Sequence, residues 1–322
     1  MRKFLQSSVL RRPFDEAQAG STPAPSFPDF GELIVPVSPE QPATLETPRA
    51  GRLLRRRDQA PHDPREHFQR CARTISDLMG IPVGEQLSQV LVFGPHPRAL
   101  LELCERSGLY DAEDLGEIHR QLLAGESYFL PDLPAVFLAN PTGFVAAEEA
   151  SHFIRHVSGG SPDAASRSDL FYQLVMHEAL GFFGSRLVVP ERETPCEAEI
   201  LAIGLYPGED EEDYSEDELL VFEIAALHLQ AERDEEHAPY LTEVYEAPIP
   251  AFVGAAHLLG YSLAHELHEA VARGDVAMEE IRALFFEDWG PEGAALRSYI
   301  DLRSRVGLSE ESLALALEEY LD

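Results

Sequence analysis

The residues of this chain best suited to chemistry are imidazoles and carboxylates that interrupt apolar helical stripes. In FVAAEEASHFIRH, Glu149, His152 and His156 fall within roughly 60° of one another at ~100° per residue, so all three can point at one site. In FYQLVMHEALGFFG, Glu178 falls in the middle of the arc made by Phe171, Val175 and Phe182. His177, about 100° round the helix, is flanked by Leu170, Leu174 and Gly181. A carboxylate buried in such an arc is costly, or rises in pKa, unless something pairs with it. In PAFVGAAHLLGYSLAHELHEAVAR, His257, Tyr261, His265 and His268 lie roughly 140–220° from Phe252, and Glu266 intrudes on the arc of Leu259, Leu263 and Ala270.

Imidazole nitrogen and carboxylate oxygen together suit zinc, iron or manganese, and facing helices are a natural place to assemble such a site. The expectation is therefore a transition-metal ion held inside the fold by imidazoles drawn from His152, His156, His177, His257, His265 and His268. Glu149 or Glu178 would act as general base where it is not a ligand, in a metal-assisted hydrolytic or oxidative reaction. The spacing narrows the class further. The di-iron carboxylate pattern needs two E-x-x-H pairs, and only Glu149 with His152 supplies one. HExxH is missing, the nearest approaches being His177-Glu178-Ala179-Leu180-Gly181 and His265-Glu266-Leu267-His268, so the zincin class is excluded. G-x-S-x-G, G-x-x-x-x-G-K and a G-x-G-x-x-G after a strand are also missing.

The competing reading needs no metal. A buried histidine commonly donates to a carbonyl or carboxylate and does nothing else, and Glu178 and Glu266 would be met by arginines such as Arg155 or Arg186. The protein is then a non-catalytic acidic helical adaptor that binds protein partners through its surface and its N-terminal tail.

The elements that must position these residues follow from composition and periodicity. With 322 residues and 44% apolar content the chain can bury a real core. Its 57 acidic residues against 25 basic ones leave a net charge of −32, a field that repels phosphate backbones and anionic lipid headgroups. Nucleic acid and membranes are therefore not expected as partners. Cys71, Cys104 and Cys196 are widely spaced and form no CxxC, which indicates neither a disulfide framework nor a cysteine zinc site. The N-terminus lacks the apolar run of a secretory leader, and a cytoplasmic protein is expected.

Residues 1–61 form a separate regime rich in Pro, Ser and Ala with the basic island Arg52, Arg55, Arg56 and Arg57, read as a disordered tail. Residues 62–322 read as one mainly α, bundle-like domain with at most a few short strands. Helices are expected from Pro64 to Gly80, Arg98 to Ser107, after Asp111, over about 143–156, 164–186 and 250–273, and then over 276–289, 292–306 and from Ser309 to Leu321. LSQVLVF at 87–93 and CEAEILAIGLY at 196–206 are ambiguous between strand and helix end. YFLPDLPAVFLAN at 128–140 is extended, with Pro131 and Pro134 limiting any strand to a sheet edge. The acidic run Glu209 to Glu218 lacks the D-x-D-x-D-G pattern of a calcium loop. It reads instead as the N-terminal cap of a helix over 216–233, with Ser215 and Glu218 as a capping box.

Overall fold

Local signals set the first helix. Asp63 accepts a hydrogen bond from the backbone N–H of Arg65 at 3.0 Å, Pro64 occupies the first turn, and Gly80 ends the helix in a left-handed conformation at φ 64°. Helix α1 (Pro64–Met79) thereby turns Phe68, Cys71, Ala72, Ile75 and Met79 into the core. The computed structural model describes residues 63–306, apart from 125–126, 140–142, 160–163, 165, 190–248 and 292. The expectations for the tail, for 196–206, for the acidic run with its helix and for the last helix lie outside the described residues.

Nine helices and three short strands follow one another among the described residues, a mainly α fold. After α1 come α2 (Gly84–Gln89), β1 (Leu91–Phe93), α3 (Arg98–Ser107), α4 (Ala112–Ala124), β2 (Tyr128–Leu130) and β3 (Ala135–Phe137). The chain continues with α5 (Gly143–Gly159), α6 (Arg167–Val188), α7 (Ile249–Arg273), α8 (Met278–Phe285) and α9 (Ala294–Val306).

The strands correct one expectation. They form a single sheet in the order β1-β3-β2, with β1 parallel and β2 antiparallel to β3, so the strand after Pro134 is central and not an edge. Both prolines lie in the turn over 131–134 and ask no ladder bond of their missing N–H groups. The Pro134 carbonyl even accepts from Leu91 N–H at 2.9 Å. This sheet, with α3 and α4, encloses a small second core that includes Leu100, Leu103, Cys104, Ile118, Leu122 and Phe137.

The main core is organised around α6, which packs most extensively against α7 and α5 and also against α1 and α9. From Asp169 to Ser185 every residue of α6 is buried except His177. Such all-round burial is what a helix with apolar residues on every side requires. Helix α7 is likewise buried on both sides from Phe252 to Ala264, His257 excepted, and becomes one-sided only in its last turns.

Small residues let these helices approach. A Cβ on Gly260 of α7 would stand 2.8 Å from Ala179 N and Val175 O of α6, so at this crossing the two backbones nearly touch. On the other side of α6, Gly184 receives Ser151 of α5, whose hydroxyl donates back to the Ala147 carbonyl at 2.9 Å. Ser185 Oγ lies 3.0 Å from the Phe144 carbonyl, tying α6 to the start of α5. The segment after α8 closes the far end, with Trp289 buried, Gln173 donating to its carbonyl at 3.3 Å, and Asp169 accepting from Gly293 N–H at 2.7 Å.

Candidate metal centre

Two closely packed helices and one glycine place the first imidazole. Helices α5 and α6 run antiparallel, with Phe144 beside Ser185 and Ser151 beside Gly184. His152 therefore projects onto α6 one turn before Gly184, at Gly181. A Cβ on Gly181 would sit 2.7 Å from the His152 ring, so the missing side chain is the space that the imidazole occupies. From there His152 stacks on His177 of α6, with ring centroids 4.0 Å apart and planes at 16°.

Glu178 is the next residue on α6 and is 1% exposed. One carboxylate oxygen lies 4.0 Å from His152 Nε2, and the other lies 2.9 Å from His257 Nδ1 on α7. The carboxylate that is anomalous in its stripe thus lies against imidazole, and the nearer imidazole comes from the helix that Gly260 admits. One ligand atom each from His152, His177 and Glu178 lie within 4.8 Å of one another. Around a tetrahedral zinc with bonds of ~2.0–2.1 Å, ligand atoms stand about 3.3 Å apart, so one ion would draw the three atoms closer and turn the His152 and His177 rings out of their stack to bring it into both ring planes.

The electrostatics prepare the imidazoles. His177 Nε2 is enclosed and makes no hydrogen bond among the described residues. Desolvation, reinforced by the Arg155 charge and by His156, pushes the His177 pKa down to about 3. His177 is therefore neutral at any ordinary pH, which is the state a metal requires of it. Burial also lowers the pKa of His156, with Asp132 partly opposing.

The remaining residues singled out from the sequence are placed differently. His156 lies one turn beyond His152 against Phe129, with centroids 5.3 Å apart, outside the three-residue group. Glu149 is buried on α5 and is also outside that group. His265 and His268 lie eight and eleven residues past His257 on α7. At 1.5 Å per residue that is ~12 and ~16 Å along the helix axis, too far to share its site.

The arginine partners also differ from expectation. Glu266 is met by Arg303 of α9 at 2.5 Å, Arg186 donates to the Tyr261 hydroxyl at 2.8 Å, and the Arg155 guanidinium lies over Trp289 at 3.9 Å. The His and Tyr face of α7, unusual for a solvent face, packs on α6, where Phe182 meets His257 and Tyr261 edge-on at 4.8 and 5.0 Å.

Sequence reasoning passed over Glu148. It is buried, and its Cγ would lie 3.3 Å from a Cβ on Gly181, beside the His152 ring. The signal was present as the i,i+4 spacing of Glu148 and His152, but only the facing glycine shows that this edge of α5 is the inward one.

No protein-family model matches the chain, and no curated protein or solved structure matches it. Among the described residues no helix is long and apolar enough to cross a membrane.

Proposed function

We propose that the protein is a transition-metal protein whose ion is bound between α5, α6 and α7 by His152, His177 and Glu178. His257 holds the second Glu178 oxygen. The observation that carries this reading is that one ligand atom each from His152, His177 and Glu178 lie within 4.8 Å of one another, in an interior where burial holds His177 neutral. A set of two imidazoles and one carboxylate leaves coordination positions open and suits zinc, iron or manganese. When bound, such an ion activates water or polarises a substrate oxygen, which supports metal-assisted hydrolysis or oxidation as the reaction class. The chain's own part is to keep His177 neutral, to orient Glu178 beside His257, and to surround the site with Phe182, Tyr261 and small helix-crossing residues.

The 2.9 Å contact of His257 with Glu178 also suits the second reading, in which these side chains are internal fasteners of an adaptor. Elemental analysis separates the two. Full-length protein purified without a His tag, stripped with chelator and offered zinc, iron(II) or manganese should retain about one ion per chain. His152→Ala and Glu178→Ala should lose it, while His265→Ala and His268→Ala should not. Failure of the wild-type chain to retain any of the three ions would leave the fastener reading in place.

A further inference from the structure

Among the described residues Arg155 is the one fully buried guanidinium on the helices of this centre, and its hydrogen bonding there is incomplete. It follows His152 by three residues on α5, on the same side of the helix, and is 1% exposed. A guanidinium carries five N–H donors. One Nη2 donor reaches the Glu287 carbonyl at 3.0 Å, and the planar face rests on Trp289. Nε and Nη1 are buried without an acceptor among the described residues, Nη1 lying over the bare Cα of Gly159. Asp288 acts on it only at a distance, being exposed and holding Gly290 N–H at 2.9 Å. Desolvation pulls the Arg155 pKa down to about 10, so it is still charged at neutral pH. A charged, buried fork with unused donors is expensive unless an anion completes it.

The charge balance of the centre points the same way. A divalent ion on two neutral imidazoles and one carboxylate carries one excess positive charge, which the buried Glu148 carboxyl beside His152 can offset, and Arg155 adds a further positive charge in the same low-dielectric interior. The Arg155 charge adds, after desolvation, to the lowering of the His177 pKa. Resting on the metal reading above, we propose that Arg155 makes this an oxyanion site. The ligand or substrate presents a compact carboxylate or phosphate group that takes an open metal position with one oxygen and the unused Arg155 donors with another. Arg suits this task because its planar fork matches both groups and its charge persists on burial.

The test uses full-length protein loaded with cobalt(II), titrated with acetate and, separately, inorganic phosphate at constant ionic strength against chloride. The readout is the visible absorption of the bound cobalt. Wild type should show a saturable spectral change with at least one of the two, and whichever saturates at lower concentration identifies the oxyanion type. Arg155→Gln, which keeps a donor for the Glu287 carbonyl, should bind cobalt equally but the anion about 10–100-fold more weakly, the loss expected for a charge-assisted hydrogen bond. Arg155→Lys should fall between them and serves if the glutamine variant does not fold. Cobalt uptake without any response to either anion, or anion affinity within about twofold of wild type in either folded variant, overturns the inference and spares the metal site. No cobalt uptake by wild type overturns both.

Discussion

Replacing Gly260 with Ala perturbs the contact that holds α7, and with it His257, against Glu178. The added Cβ would stand 2.5 Å from Glu178 Cβ and 2.8 Å from both Ala179 N and Val175 O, where ordinary contact begins at 3.4 Å. All three obstructing atoms are fixed by the α6 backbone, since a Cβ does not move with side-chain rotation, so α7 must lift by about 0.9 Å or the crossing must distort. Ala is favoured over Gly inside a helix by ~1 kcal/mol, whereas overpacking of a tight core costs about 1–3 kcal/mol. Contact with immovable backbone places the cost at the upper end, for a net loss of about 2 kcal/mol, or roughly 4–8 °C in Tm on the scale of a ~150–250-residue domain.

Gly116 of α4 is the control, because its Cβ would meet nothing within 4 Å and the position is exposed. Gly116→Ala should therefore gain up to ~1 kcal/mol from helix propensity. Both variants are compared with wild type by urea and thermal unfolding of metal-free protein. If Gly260→Ala proves as stable as wild type, the α6–α7 crossing is not as close as described, and the placement of His257 on Glu178 loses its support.

Acid should weaken the metal-free fold through His177. Its pKa of about 3 in the fold lies below the ordinary 6.5, so the unfolded chain binds more protons between these values. The stability from neutral His177 is then complete above pH 6.5 and lost as pH falls toward 3. The urea midpoint of wild type should drop across that window, and more steeply than that of His177→Gln. The thiols of Cys71 and Cys104, pushed up by burial to about 11 and about 12, should not react with a disulfide reagent at about pH 8 in folded Cys196→Ser protein. Both should react once the protein is unfolded, and rapid modification of the native state would contradict their burial. Arg303→Met leaves Glu266 buried without its guanidinium and should cost about 3 kcal/mol in urea unfolding. The double variant Glu266→Leu with Arg303→Met should recover much of that loss, and an unchanged midpoint in the single variant would show the pair to be solvated.

Much of the fold is legible in the chain because helix periodicity, caps and breakers are local properties. Asp63, Pro64 and Gly80 bracket α1 without reference to anything distant, and the double-sided burial of α7 follows from the lack of charged residues on its His and Tyr face. The same periodicity brings out His152, His177 and Glu178 as polar intrusions into apolar arcs. Periodicity cannot say which arcs meet, because the angle of a residue round its own helix carries no information about the neighbouring axis. That His257 and not His265 faces Glu178 depends on Gly260 fitting over Val175 and Ala179, and that Glu148 lies beside His152 depends on the gap at Gly181. The pairing of Glu266 with Arg303, and the central place of β3 after Pro134, likewise arise from packing between segments far apart in the chain. Residue type and spacing decided that imidazole and carboxylate would be buried. Interhelical contact through missing side chains decided which of them share one interior.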